Sequence, residues 1–165
     1  MADLADLFRR LTTGVYVIGV AQGERRSGFT AAWLTQVSFD PLLIALSVNP
    51  EHASYPLLVD GGGFVINVLR RDQLHLAESF GTRSGRDADK LAGVDWRPAG
   101  SGAPILTDAV AWLECRLHDL APAGDHVIVL GRPVAGELVR PDATTLLYFD
   151  TGELDGSREL YPGEL

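Results

Sequence analysis

Residues 27–41, SGFTAAWLTQVSFDP, are the part of this sequence that points most clearly to a ligand. At Thr30, Ala31 and Ala32 the side chains are small, so a planar molecule can approach the main chain and hydrogen-bond to its amides. Trp33 follows directly and can stack on such a molecule or shield it. The alternative is that the alanines pack beneath a neighbouring strand and that Trp33 belongs to the core.

A second candidate site follows the next apolar run. Residues 42–48, LLIALSV, predict a short strand buried on both faces, and the turn after it predicts a helix with Ser54 as its N-cap. The start of a helix is a favourable place for a phosphate group. An ordinary capped helix without a ligand is the alternative.

Other common kinds of chemistry find no support in the sequence. The four histidines are scattered without the spacing of a metal site, and Cys115 is the only cysteine. Cys115 lies in an apolar run, which predicts a buried, inert thiol rather than a nucleophile. No G-x-G-x-x-G follows a predicted strand, and neither a phosphate-binding P-loop nor a G-x-S-x-G nucleophile elbow is present.

Size and composition predict one soluble domain spanning residues 1–165. The net charge of −8, from 22 acidic and 14 basic residues, disfavours a nucleic-acid partner. No apolar run is long enough to cross a bilayer, so we expect no membrane association. A single cysteine and the absence of an N-terminal signal-peptide pattern predict a cytoplasmic protein.

The order of elements predicts a mainly β fold with short peripheral helices. Strands follow strands rather than alternating with helices, which favours a Greek-key or closed barrel over a parallel α/β sheet. Helices are expected over 4–11, from Ser54 onward, and from 70 to a stop at Gly81. Strands are expected over 13–21, from 27 onward, over 42–48, over 63–69, in a long hairpin within 103–139, and over 144–152. Residues 82–93 predict a polar loop that carries a short helix.

Taken in order, six segments give the chain a resemblance to a known family. They are FRRLTTGVYVIGV, GFTAAWLTQVSFDPLLIALSV, GGFVINVLRRDQLHLAESF, DADKLAGVDW, APILTDAVAWLEC and GDHVIVLGRPVAG. Together they resemble the flavin reductase-like, FMN-binding split-barrel family from about residue 8 to residue 149. The resemblance implies a six- or seven-stranded split β-barrel with Greek-key topology, and a homodimer with flavin near the subunit interface.

The resemblance also assigns roles to residues of this chain. The flavin-edge segment, whose amides meet the polar edge of the ring, corresponds to Thr30, Ala31, Ala32, Trp33 and Leu34, with Gln36 and Val37 following on the same strand. The strand end beside the flavin corresponds to Ser47, Val48 and Asn49. The phosphate-side turn corresponds to Ser54 and Tyr55, and the aromatic closure of the pocket to Phe80 and Gly81.

The resemblance makes His126, in the motif Gly124-Asp125-His126, the candidate catalytic residue near the nicotinamide. The alternative is that His126 is an ordinary turn histidine that donates to a carbonyl. Arg83, Arg86 and Lys90 are candidates for the phosphate, with a solvated charge run as the alternative.

The implied function is an NAD(P)H-dependent flavin reductase that uses FMN, or FAD, and supplies a partner monooxygenase. The chain departs from many reductases of the family at Ala32 and Trp33 and at its acidic C-terminal end. Two other hypotheses therefore stay open: a flavin-holding electron-transfer protein without nicotinamide turnover, and a split barrel that has lost its cofactor and serves as an interaction module.

Overall fold

A computed structural model describes residues 3–82 and 89–163. The α-helices are α1 (Leu4–Arg9), α2 (Tyr55–Gly61) and α3 (Leu74–Thr82). The strands are β1 (Tyr16–Gln22), β2 (Arg25–Ala31), β3 (Leu34–Phe39), β4 (Leu42–Val48), β5 (Gly63–Val68), β6 (Trp96–Pro98), β7 (Pro104–Leu106), β8 (Ala111–Ala123) and β9 (His126–Leu138). Two 3₁₀ turns follow, at Tyr148–Thr151 and Ser157–Leu160.

Seven strands form one antiparallel sheet in the order β2-β1-β5-β8-β9-β4-β3, and β6 pairs with β7 in a separate ribbon. The sheet curls so that its two ends share a core, because Phe29 of β2 belongs to the same buried cluster as Ile44 and Leu46 of β4. From the β3–β4 hairpin the chain passes through α2 and returns at β5, on the other side of the long β8–β9 hairpin. The predicted mainly β, split-barrel fold is confirmed.

Helix α2 closes one end of the barrel. Leu57 and Leu58 point into the main core cluster and are almost fully buried. The helix packs closely on β1 because residue 61 is a glycine, at which a Cβ atom would lie 1.9 Å from the carbonyl oxygen of Ala21. Any larger residue at this position would force the helix away from the sheet.

The long hairpin occurs as predicted. Residues 111–123 pair with 126–138, and Gly124 makes the tight turn between them with a φ of 64°. A positive φ is readily adopted only by glycine. The turn places His126 at the first position of β9, beside the end of β4.

Three predicted elements differ in the structure. The stretch from residue 27 is two strands, because β2 and β3 lie at opposite ends of the sheet order and the chain must turn at residues 32–33. In β4 only alternate residues are fully buried, since one face of the strand points to the core. Residues 144–152 form no strand: they make two isolated bridges, at Thr145 and Leu147, and then a 3₁₀ turn.

Two further corrections concern the end of α3 and the loop after it. Gly81 lies inside α3, which continues to Thr82, so it is not the stop of the helix. Lys90 is 2% exposed and its Nζ donates to the carbonyls of Gly28 and Phe80, both at 3.0 Å. These hydrogen bonds connect the segment that contains Lys90 to β2 and α3. Both predictions for Lys90 are therefore wrong: it is not a solvated charge, and it does not line the cavity. Arg83 and Arg86 lie outside the described residues.

Among the described residues, none of the helices has the length and apolar character that crossing a bilayer requires.

Candidate functional site

A cavity of about 410 Å³ lies beside the break between β2 and β3. This volume falls within the range of roughly 300–1,000 Å³ that is usual for small-molecule sites. Its walls come from the end of β2 and the break, the end of β4 and the turn after it, α3, the start of β9 and the C-terminal segment. The lining residues are Val15, Phe29, Thr30, Ala31, Ala32, Trp33, Ser47, Val48, Asn49, His52, Ala77, Gly81, Thr82, His126, Tyr148, Thr151, Leu154 and Asp155.

The break between β2 and β3 lines this cavity with two residues whose backbone N–H groups are not used within the described structure. The carbonyls of Ala32 and Trp33 accept hydrogen bonds from the amides of Leu34, at 3.1 Å, and Ser47, at 2.9 Å. The N–H groups of Ala32 and Trp33 have no acceptor within residues 3–82 and 89–163. Because folded proteins pair nearly all their backbone groups with protein or water, two such donors suit a planar ligand with acceptors along one edge.

Thr30 fixes this wall to α3. Its Oγ1 donates to the carbonyl of Ala77 at 2.7 Å. The hydroxyl of Thr30 is therefore used within the protein, and the small side chains of Ala31 and Ala32 leave the space next to it to a ligand. Thr30, Ala31 and Ala32 are half-buried and line the cavity.

Trp33 and His126 form one aromatic side of the cavity. Their ring centroids are 5.0 Å apart with an interplanar angle of 45°. Trp33 is 48% exposed, so it is not a core residue. The Nδ1 atom of His126 is 2.7 Å from Oδ1 of Asp125, and this hydrogen bond holds the pKa of Asp125 below its usual value. Asp125 thereby orients the imidazole ring.

His52 and Phe29 form a second aromatic pair, with ring centroids 4.9 Å apart. The amide of Ser54 donates to Nδ1 of His52 at 3.2 Å, and the amide of His52 donates to the carbonyl of Asn49 at 3.0 Å. An Nδ1 atom that accepts a hydrogen bond places the proton of the neutral ring on Nε2. His52 is not among the predicted site residues, although it lies between two of them, Asn49 and Ser54.

The C-terminal segment supplies the opposite wall. The Tyr148 hydroxyl donates to Oδ2 of Asp155, and Arg9 lies over the Tyr148 ring, 5.1 Å from its centroid. Burial acts against ionisation of Asp155, but hydrogen bonds from Tyr148 and Ser157 outweigh it and hold the pKa of this carboxyl below its usual value. Burial raises the pKa of the Tyr148 hydroxyl.

The structure brings nine of the predicted site residues to the cavity wall: Thr30, Ala31, Ala32, Trp33, Ser47, Val48, Asn49, Gly81 and His126. Six others do not line it. Leu34, Gln36 and Val37 lie on β3 beyond the break, because the chain does not continue as one strand. Phe80 is completely buried in a core cluster with Val17 and Leu69, and it does not line the cavity that it was predicted to close.

The predicted phosphate-side pair is also absent from the wall. Ser54 occupies the N-cap position of α2 but makes no side-chain cap hydrogen bond. It is 1% exposed, and its hydroxyl lies 3.4 Å from that of Ser27. Tyr55 packs against the main core cluster.

Cys115 is a buried thiol, as predicted. It is 1% exposed, and burial, with a smaller contribution from the nearby Glu114, raises its pKa to about 12. The thiolate is therefore not populated at neutral pH, and Cys115 contributes only to packing.

The family to which the chain belongs follows from a match to a family model. The model described as "Flavin reductase like domain" matches residues 8–156, so the chain is a member of this family. The chain is 38% identical over 135 residues to a protein named "Probable flavin reductase" from Rhizobium meliloti (strain 1021), covering 81% of this chain and 42% of that protein. It spans 26% to 42% of the length of the first curated relatives it matches.

Solved structures with the same fold agree with this assignment. The NADH:FAD oxidoreductase SgcE6 of Streptomyces globisporus C-1027 superimposes with a TM-score of 0.79 at 32% identity, covering 88% of each chain. The flavin reductase component of a bacterial two-component tryptophan halogenase gives a TM-score of 0.77 at 35% identity, covering 88% of this chain and 91% of that chain.

Proposed function

We propose that this protein is an NAD(P)H-dependent flavin reductase that holds FMN in the cavity beside Ala32 and Trp33. The observation that carries the proposal is that, among the residues the structure describes, the N–H groups of Ala32 and Trp33 have no acceptor, and that both residues line a cavity large enough for a ring system. Family membership supports flavin as the ligand. The bound flavin would supply the hydride-accepting chemistry, so the protein needs no nucleophile or metal of its own.

Different groups of the chain would bind different parts of the flavin. The amides of Ala32 and Trp33 would donate to the polar edge of the flavin ring, where preorganised dipoles favour added electron density. The indole of Trp33 would cover one side of the ring. Ser47, Val48 and Asn49 would line the ring or its side chain, and Ser54 and Tyr55 stay candidates for the phosphate side only if the turn before α2 rearranges on binding.

His126 would orient the nicotinamide. It lies in the wall next to Trp33, and the hydrogen bond to Asp125 favours one orientation of its ring. Such a residue acts by placing the donor ring against the acceptor, which lowers the barrier by proximity. No proton transfer by a side chain is required for hydride transfer.

We also propose that the protein works as a homodimer in the cytoplasm. Val37, Phe39 and Leu42, on the β3–β4 hairpin, are 51%, 88% and 42% exposed. Exposed apolar side chains grouped on one hairpin are typical of a surface that a partner covers. A second copy of the chain would bury this hairpin and bring its own residues to the flavin, including Gln36 and Val37. The reduced flavin would pass to a partner monooxygenase.

The second hypothesis, a flavin-holding electron-transfer protein, requires the flavin and no nicotinamide. Of the residues that the structure describes, no lysine or arginine lines the cavity, so backbone donors and neutral side chains would have to meet the phosphate groups of either ligand.

Anaerobic titration of the FMN-loaded protein separates the two functions. We expect NADH or NADPH to bleach the flavin absorbance and steady oxidation of the nucleotide to follow when free flavin is added. Bleaching by dithionite but by neither nucleotide would reject the reductase proposal and support electron transfer. Parallel titration of the protein with FMN and FAD determines which flavin it prefers.

A further inference from the structure

The C-terminal wall of the cavity carries a fixed negative charge that the proposed function does not use. Asp155 lines the cavity, and both of its carboxylate oxygens accept a hydrogen bond within the protein: Oδ2 from the Tyr148 hydroxyl and Oδ1 from the Ser157 amide at 3.0 Å. These bonds fix the direction of the carboxylate. A carboxylate has about four lone-pair sites, so Asp155 can still accept from a ligand.

The charges around Asp155 leave this wall negative. Arg9 lies over the Tyr148 ring and is 4.0 Å from Glu153, and Arg158 pairs with Glu153 and with two carboxylates of the N-terminal segment. Two positive charges, those of Arg9 and Arg158, are therefore outnumbered by four negative ones. The four carboxylates are those of Asp3, Asp6, Glu153 and Asp155. Arg9 packs on the Tyr148 ring and its charge also acts on Asp155, but Arg9 does not line the cavity, whereas Asp155 does.

A carboxylate at this place distinguishes the two forms of a nicotinamide ring. The reduced ring is neutral. When it gives up a hydride, one proton with two electrons, to the flavin, it becomes a pyridinium cation. A negative charge in a partly closed cavity attracts the cation and not the neutral ring, and the attraction increases as water is excluded.

We propose that Asp155, held by Tyr148, is a specificity-determining residue that favours the cationic, oxidised nicotinamide ring over its neutral form. This proposal rests on the proposed function, because it assigns the nicotinamide ring to the C-terminal end of the cavity. It makes Asp155 a residue that stabilises the charge which hydride loss creates on the donor.

The test compares a cationic and a neutral ligand that do not react with flavin. The FMN-loaded protein is titrated with 1-methylnicotinamide, which carries a permanent positive charge, and with nicotinamide, which is neutral, and the dissociation constants are measured from the change in flavin absorbance. We expect the wild type to bind the cation more tightly. Asp155→Asn should weaken binding of the cation about fivefold and leave that of nicotinamide within about twofold of the wild type.

Two further variants separate a local from a general charge effect. Glu153→Gln removes the same charge from the same segment, but Glu153 does not line the cavity, so we expect less than about a twofold change for either ligand. Tyr148→Phe keeps the ring and removes the hydroxyl that holds Asp155, so its effect on the cation should lie between those of Glu153→Gln and Asp155→Asn.

The outcomes bear on the two proposals differently. Equal affinity of the wild type for the two ligands, or equal loss of both in Asp155→Asn, would overturn the role of Asp155 and leave the reductase proposal standing. A wild-type preference for the cation that Asp155→Asn abolishes, in a protein that oxidises neither NADH nor NADPH, would support the charge preference and reject the reductase function.

Discussion

Two walls of the cavity present different chemical groups: the first wall, at the β2–β3 break, presents main-chain groups, and the second or C-terminal wall, at residues 148–155, presents side chains. The wall at the β2–β3 break presents main-chain donors. The strands on either side of it are held by antiparallel ladders, β2 with β1 in unbroken register and β3 with β4 with one irregularity between Gln36 and Ser38. The wall at residues 148–155 presents an aromatic ring and a carboxylate. It is attached by isolated bridges, a 3₁₀ turn and exposed ion pairs.

This difference indicates that the two walls bind different molecules. The donors of Ala32 and Trp33 lie in a two-residue break held at both ends by paired strands, and main-chain amides do not titrate, so this wall suits a cofactor that must be held in one position. Side-chain contacts of exposed groups are weaker and respond to pH and salt. The second wall therefore suits a substrate that binds and leaves.

Closing the space next to the exposed backbone should have the largest effect. Ala32→Leu places a branched side chain where the ring is expected to lie, and overpacking of about 1–3 kcal/mol corresponds to a loss of FMN affinity of up to about a hundredfold. Fluorescence titration with FMN measures it. Ala121→Leu, at an exposed position of β8 that does not line the cavity, is the matched control. Equal FMN affinity in Ala32→Leu and wild type would show that the ring lies elsewhere.

Removing the indole should have a smaller effect on the same wall. Trp33→Ala deletes the aromatic cover but keeps the backbone donors, so we expect FMN affinity to fall about tenfold, and Trp33→Phe to recover part of the loss. The same titration measures both. If Trp33→Ala weakened FMN binding more than Ala32→Leu does, side-chain stacking and not backbone access would govern the site.

The connection of this wall to α3 should contribute about 1 kcal/mol to the free energy of unfolding. Thr30→Val keeps the shape of the side chain and removes the hydrogen bond to Ala77. Urea unfolding of the variant measures the loss. Thr35→Val is the control, because the Thr35 hydroxyl contacts only the carbonyl of its neighbour Gln36 on an exposed strand. Equal destabilisation by the two variants would contradict this role of Thr30.

Lowering the pH should reduce the local stability of the C-terminal wall and leave that of the wall at the β2–β3 break unchanged. The folded-state pKa of Asp155 is lowered, so its contribution to stability is complete above the unfolded pKa of about 3.9 and is lost as the pH falls through the lower folded value. Amide hydrogen exchange of residues 148–157, corrected for its intrinsic pH dependence, should show less protection below that range. Asp155→Asn should not show this pH response; a response of the same size in that variant would assign it to another group.

The two walls also differ in how far the sequence predicts them. The small residues at 30–32 next to Trp33 indicate exposed backbone directly, because the signal is local. Tyr148 and Asp155 meet only through a 3₁₀ turn in a segment whose apolar and β-branched residues predict a strand. Phe80 shows the converse: its helix is predicted correctly, but which face of the helix meets the cavity depends on tertiary packing. His52 is found only through the fold, which stacks its ring on Phe29.

A crystal structure of the protein grown with FMN tests the central claim most directly. We expect acceptor atoms of the flavin ring within about 3 Å of the backbone nitrogens of Ala32 and Trp33, with the indole of Trp33 against the ring. A flavin bound elsewhere on the chain, with these two amides facing only water, would contradict the account.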